Sequence, residues 1–266
     1  MEKQWRHLCL GLGLFALSGL AHADERHFGY SYESNVMPDG GKDLEAYNTF
    51  RYGRDHFYSG WDQSLELEVG LKGNVSTSLY LNYTQTLEGD GVPVNSPQFN
   101  GVANEWRFKL SDSVADGLGF GLLFEPEFKP DEMELETKVV LDKKTGDFLW
   151  AFNLTTEPEY HLVDGTWGLT MTPSLGLGLF TSEHFMVGVE SELRNFFVNS
   201  DPTQPLQRVA SIFSLGPDIS YTTDNWWVTL TILPQVANLM GGGLDYSNTD
   251  TGSQRWQVRL GTSLHL

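Results

Sequence analysis

The last eleven residues, Trp256 to Leu266, read W-Q-V-R-L-G-T-S-L-H-L. Trp256, Val258, Leu260, Thr262, Leu264 and Leu266 take every second place; Gln257, Arg259, Gly261, Ser263 and His265 lie between them, with Arg255 just before. Period two puts one set on each face of a β-strand. A strand that is apolar on one side, polar on the other and closed by an apolar residue is what the final strand of a bacterial outer-membrane β-barrel requires.

The other end points to export. Lys3 and Arg6 precede the apolar run LCLGLGLFALSGL, which ends at Ala21-His22-Ala23. A basic region, a short apolar core and a small-x-small cleavage site predict a secretory signal peptide over residues 1–23. The single cysteine, Cys9, lies within it, in R-H-L-C, without the small residues that a lipoprotein signal needs. Residues 24–266 therefore carry no disulfide or thiolate chemistry. A net charge of −18 argues against nucleic acid and anionic headgroups as electrostatic partners. After residue 23 no apolar run approaches the ~20 residues of a spanning helix. Barrel strands alternate lipid-facing with lumen-facing residues, so this composition is compatible with them.

The alternation recurs. Leu65, Leu67, Val69 and Leu71 face away from Glu66, Glu68 and Gly70; Trp106, Phe108 and Leu110 from Glu105, Arg107 and Lys109; Met133, Leu135, Thr137, Val139 and Leu141 from Glu134, Glu136 and Lys138. With a first strand over 41–54, twelve strands are expected: an all-β, antiparallel, up-and-down transmembrane barrel over residues 41–266. Residues 24–40 are expected to be a periplasmic tail or a plug in the barrel mouth. Short connections rich in Gly, Asn, Asp and Ser, such as Lys72-Gly73-Asn74, suit the periplasmic side, and longer ones such as 87–103 and 238–253 suit the outer side. The stretches near 55–58 and 129–132 are shorter than this rule expects. An aromatic belt is expected from Trp61, Trp106, Trp167 and Trp256 near the outer ends, and from Trp150 and Trp226 near the periplasmic ends. Pro126, Pro173, Pro217 and Pro234 fall inside alternating runs and lack a ladder donor, so bulges or strand ends are expected there.

Residues 28–83 resemble the start of a family of uncharacterised Gram-negative outer-membrane proteins. That family is similar to putative transporters named after the meta-pathway of phenol degradation. The matching features are F-G-Y-S-Y-E-S-N-V-M-P-D-G-G-K-D-L-E, G-W-D-Q-S-L-E-L-E-V-G-L and L-Y-L-N-Y-T. Tyr30 or Tyr32, Glu33, Pro38, Gly40 or Gly41, and Glu45 fit the pattern Y-x-x-E-x-x-P-x-G-x-x-E-x-E that precedes its first strand. The resemblance implies an outer-membrane barrel with no catalytic residues to carry over. Leu266 departs from the Phe that ends most barrels.

Strand parity places the candidate lumen charges. Glu66, Glu68, Glu105, Arg107 and Lys109 come first, then Glu125, Glu127, Glu134, Glu136 and Lys138, and then Glu190, Glu192, Arg194, Arg255 and Arg259. Arg51, Arg208 and Asp218 share that parity. Such charges either fill a narrow barrel as a salt-bridge lattice or line a mildly cation-preferring pore. The cluster of Glu125, Glu127, Glu134 and Glu136 needs counter-charge, but no ligand loop marks a Ca²⁺ site. His27, His56, His161, His184 and His265 show no metal-ligand spacing, so no metal or other cofactor is expected. Ser182 with His184, and Asp55 with His56, are the sparse hints of hydrolase chemistry.

The working expectation is a channel for passive passage of small solutes. A non-conducting structural or surface barrel is the alternative, and an outer-membrane hydrolase the third reading. Expected partners are outer-membrane lipid and lipopolysaccharide, and the barrel-assembly machinery through the last strand; the chain is expected to be a monomer.

Overall fold

The computed structural model describes residues 26–89, 97–199, 201–241, 244 and 254–266. The expected signal peptide and part of the longest outer loop lie outside these residues. Twelve antiparallel strands close into one barrel in simple next-neighbour order. They are β1 (Lys42–Tyr52), β2 (Tyr58–Leu71), β3 (Val75–Glu88), β4 (Gln98–Ser111), β5 (Gly119–Phe128) and β6 (Glu132–Thr145). The ring continues with β7 (Phe148–His161), β8 (Trp167–Phe180), β9 (Phe185–Val198), β10 (Gln207–Thr222), β11 (Trp226–Asn238) and β12 (Trp256–His265). An even strand number puts both ends of the barrel on the periplasmic side.

Closure is made by β1 and β12, paired without a break from Asp43 opposite His265 to Tyr52 opposite Trp256. On β12 the sequence alternation is the structural one: Leu264 and Leu266 are exposed on the outer face, and Gln257, Gly261 and Ser263 are buried inside. Lipid stabilises the apolar outer face, while closure leaves no edge strand whose N–H groups lack partners. The periplasmic turns β2–β3 and β6–β7 are tight. Gly73 and Asn74 both adopt positive φ (82° and 61°), and Gly146 (59°) opens the two-residue turn between β6 and β7, as primed hairpin turns require.

Aromatic rings gather at both ends of the barrel. Trp61 stacks on Phe50 (5.6 Å) and Trp256 on Tyr52 (6.4 Å), while Trp167 lies 5.0 Å from Tyr160, all near the extracellular ends. Trp226 lies 5.3 Å from Tyr221 near the periplasmic end, and Trp150 is the third residue of β7 on that side. Trp106 corrects the sequence expectation. β4 begins six residues earlier than its alternation suggested, passing through a register shift beside Gly101, so Trp106 sits opposite Thr77 in the periplasmic half.

The prolines also correct the expectation. Pro126, Pro173, Pro217 and Pro234, and Pro158 with them, lie within strands on the outward parity. Each keeps its pairing on one side: Pro126 with Leu135, Pro158 with Leu169, Pro173 with Leu154, Pro217 with Val189 and Pro234 with Trp256. On the other side the ladder skips the proline, and the register is the same before and after the skip. A strand residue directs its N–H to one neighbour only, so a proline loses a bond on one seam and leaves the other whole.

Candidate functional site

The interior is built in two storeys. The periplasmic storey is filled by residues 26–37, which fold back from the start of β1 into the lumen as a plug. Gly40 donates its N–H to the carbonyl of Gly70 (3.1 Å), and the N–H of Gly70 donates to Gly41 (2.9 Å), which fixes the point of return. Phe28 then packs with Leu149, Ala151 and Met186, the apolar cluster of the interior. The polar backbone of the segment is satisfied by lumen side chains. The Glu190 carboxylate accepts the successive N–H groups of Gly29 (2.7 Å), Tyr30 (3.0 Å) and Ser31 (2.7 Å), and the Thr231 hydroxyl as well (2.7 Å). Asn153 both accepts from the N–H of Tyr32 (2.6 Å) and donates to its carbonyl (2.9 Å), and Asp142 accepts from Ser34 (3.1 Å).

Beside the plug lies a buried ionic knot. Glu66, Glu68 and Glu105 are fully buried around Arg107. The Arg107 guanidinium pairs with Glu105 and lies 3.6 Å from Glu66 and 3.7 Å from Glu68. Tyr32 carries Arg26 over its ring at 3.6 Å and Lys138 at 3.6 Å, and Arg26 donates to the Tyr47 hydroxyl (2.6 Å), which in turn bonds Glu45. Lys109 pairs with Asp112 at the periplasmic rim.

Above the plug, in the extracellular half, is a polar cavity of about 480 Å³. Tyr30, Tyr32, Tyr47 and Tyr80 contribute to its lining. One wall is acidic: Glu125 and Glu127 on β5, Glu134 and Glu136 on β6, and Glu157 on β7. Glu125 stands opposite Glu136, Glu127 opposite Glu134, and Glu134 opposite Glu159. Lys138 pairs with Glu136 (2.8 Å), and Lys129, in the β5–β6 turn, pairs with Glu132 and Glu134 (both 2.6 Å) and Glu127 (3.6 Å). Burial opposes the Lys129 charge, but Glu134 and Glu127 outweigh it and hold its ammonium well above the usual lysine range. The guanidinium groups of Arg259 on β12, Arg51 on β1 and Arg194 on β9 also line the cavity. Six strands apart in a ring of twelve, β6 and β12 are opposite walls.

The structure gathers most of the charges that parity suggested. Arg255 is one exception: it precedes β12 and is exposed at the extracellular rim, with its side chain against Gly53. Arg208 is likewise exposed at the start of β10. Asp62, Glu157, Tyr47 and Tyr80 were not singled out from sequence, and Glu45, Tyr30 and Tyr32 entered only through the family pattern, not as lumen groups. The inner parity of β1 and β3 carries the signal for Glu45, Tyr47 and Tyr80, whereas Pro158 masks Glu157 and Glu159.

Among the described residues, Glu132, Glu159 and His161 offer one ligand atom each within 4.8 Å, at the extracellular end of β6 and β7. Lys129 already donates to that Glu132 carboxylate, and His161 lies 3.3 Å from it. Ser182 accepts the Phe185 N–H (3.1 Å) in the periplasmic β8–β9 turn, while the His184 ring lies against Tyr221. His56 bonds Glu88 at 2.5 Å.

Solved structures share this architecture. The COG4313 outer membrane channel from Pseudomonas putida F1 superposes with a TM-score of 0.62 at 9% identity, covering 88% of this chain and 98% of that one. The NanC porin gives 0.57 at 12%, covering 84% and 100%, and the β domain of the Bordetella autotransporter BrkA 0.51 at 11%, covering 86% and 100%. At these identities the likeness shows the fold, an outer-membrane β-barrel, and with it the bacterial outer membrane as the location and lipid as the surroundings of its outer face. No curated protein matches the chain by sequence. A family model matches residues 20–263, nearly the whole length: the chain belongs to DUF6662, a family of unknown function.

Proposed function

We propose that this protein is an outer-membrane channel for small hydrophilic solutes, with a lumen that favours cations. The observation that carries the reading is the charged cavity of about 480 Å³ inside a closed barrel. A barrel serving only as a scaffold has no need of such a space, whereas a polar, acid-rich passage lets hydrated cations enter at low cost. The fold shared with a channel and a porin supports the same reading, as does the resemblance to putative transporters named after the meta-pathway of phenol degradation. Neither names a solute.

A second reading has its own support. The plug and the Arg107 knot fill the periplasmic half, which is how a non-conducting barrel would be built. Planar-bilayer recording of the purified full chain decides between the two. Stepwise currents with a K⁺/Cl⁻ permeability ratio above one are expected; the absence of stepwise current at all tested voltages overturns the channel. Assembly as a monomer through the last strand, with lipopolysaccharide around the outer leaflet, completes the proposal. Crosslinking in native membranes tests it, and bands at multiples of the chain mass refute the monomer.

A further inference from the structure

Several charged and polar groups around the cavity take no ion pair or hydrogen bond among the described residues, and their placement has a pattern. On the acidic wall, Glu125 and Glu157 take no ion pair among the described residues, because Lys138 is drawn to Glu136 and Lys129 to the outer glutamates. On β9, Arg194 likewise has no ion pair, and its Nε is buried without an acceptor. Two residues along the same strand face, Glu192 is only 7% exposed, and its Oε2 has no donor. On β3, across the ring from β9, the Tyr80 hydroxyl also lines the cavity, 7% exposed and unpartnered. Buried polar groups without partners cost free energy, and these line a space that a ligand could enter to satisfy them.

We propose that this cavity binds a basic amino acid. Arg194 and Glu192 stand about 7 Å apart, the two-residue repeat of one strand face. A guanidinium beside a carboxylate is the complement of an α-carboxylate beside an α-ammonium. Arg194 takes the ligand's carboxylate as a charge-assisted pair, and Glu192 accepts a hydrogen bond from its ammonium. The distal cation of the side chain then reaches the acidic wall at Glu125 and Glu157. Arg259 is less free for this role, since it already donates to Thr49 (2.9 Å) and the Gly29 carbonyl (3.2 Å). The excess of carboxylates over cations around the cavity favours a ligand of net positive charge, and its volume accommodates one molecule of that size. This inference deepens the channel reading by naming a solute class, and its solute specificity rests on that reading.

Isothermal titration of the purified full chain in detergent tests binding without requiring conductance. L-lysine carries all three groups, 1,5-diaminopentane lacks the carboxylate and L-norleucine lacks the distal cation. Lysine is expected to bind at least tenfold more tightly than either, about the worth of one charge-assisted contact. Arg194→Gln should weaken lysine about tenfold and leave 1,5-diaminopentane unchanged, which also reports that the variant is folded; Arg194→Lys should recover part of the loss. Glu125→Gln with Glu157→Gln should bring lysine down to the level of norleucine. Diaminopentane binding as tightly as lysine, lysine indifferent to Arg194→Gln, or no lysine heat at millimolar concentration each overturns the proposal. Lysine binding without bilayer current would retain the site and refute the channel; current without lysine binding would do the reverse.

Discussion

Ser31 donates its backbone N–H to the Glu190 carboxylate at 2.7 Å, from a residue of the plug to the wall of β9. Gly29 and Tyr30 donate to the same carboxylate, so one side chain holds three consecutive peptide groups. Replacing it by alanine strands those donors in the interior. Glu190→Ala is expected to cost about 3 kcal/mol, since hydrogen bonds to a charged group contribute about 1.5–3 kcal/mol each and water refills part of the loss. The midpoint of urea unfolding, followed by heat-modifiable gel migration, measures it. In the bilayer the same variant should raise single-channel conductance as the plug loosens; an unchanged midpoint and an unchanged conductance would count against this role.

Arg107 stands in the middle of three fully buried glutamates. Removing one member of a buried ionic group leaves uncompensated charge and costs about 3–5 kcal/mol. Arg107→Met should therefore be among the most destabilising single changes in the barrel, and adding Glu66→Gln and Glu105→Gln should recover much of the loss. Unfolding midpoints of the single and triple variants make the comparison; a triple variant no more stable than the single one would contradict the account.

Gly70 is a glycine because the plug passes over it. A Cβ there would lie 1.8 Å from the Pro38 carbonyl oxygen and 2.6 Å from that of Met37. These are backbone atoms, so relief requires the return of the chain to shift. Gly70→Ala is expected to destabilise by about 1–3 kcal/mol and to make residues 26–40 cleavable by added protease. Protease resistance equal to that of the parent would show that the return bends without cost.

Asp112, in the β4–β5 turn, gives a pH-dependent contribution. The Lys109 ammonium (2.6 Å), followed by the N–H groups of Ala115 and Val114, holds its carboxyl down at about 2. A carboxyl lower in the folded protein than its usual ~3.9 stabilises the fold above that value. The contribution is complete near pH 5 and disappears as the pH falls towards 2. Partial exposure keeps it to about 1 kcal/mol or less. Thermal midpoints of the parent and Asp112→Asn should differ at pH 5 and converge near pH 2; a constant gap across that range would exclude the mechanism.

Strand identity and facing were legible because alternation is enforced twice, by lipid outside and by charge inside. The boundaries were not. β4 runs on to Gln98 through Gly101, where a register shift breaks the parity and conceals the extension, and this moves Trp106 away from the outer belt. β7 extends to His161 although Pro158 interrupts the run, so Glu157 read as loop. The plug left no periodic signature. Its order comes from peptide groups bonded to Glu190, Asn153 and Asp142, residues more than a hundred positions away. The uneven lumen was only half visible: parity tells which residues point inward, but only closure of the ring tells which strands stand across from one another.

The five skipped prolines fall on four seams, β4–β5, β6–β7, β8–β9 and β10–β11. All four are joined by periplasmic turns, whereas β5–β6, β7–β8 and β11–β12, joined on the outer side, are zipped along their length without a shift. The division is not uniform round the ring: the outer hairpins β3–β4 and β9–β10 carry a register shift, and the periplasmic hairpin β2–β3 is continuous. Mechanically the skipped prolines are the loose stitches of four periplasmic seams, and amide exchange should be fastest beside them.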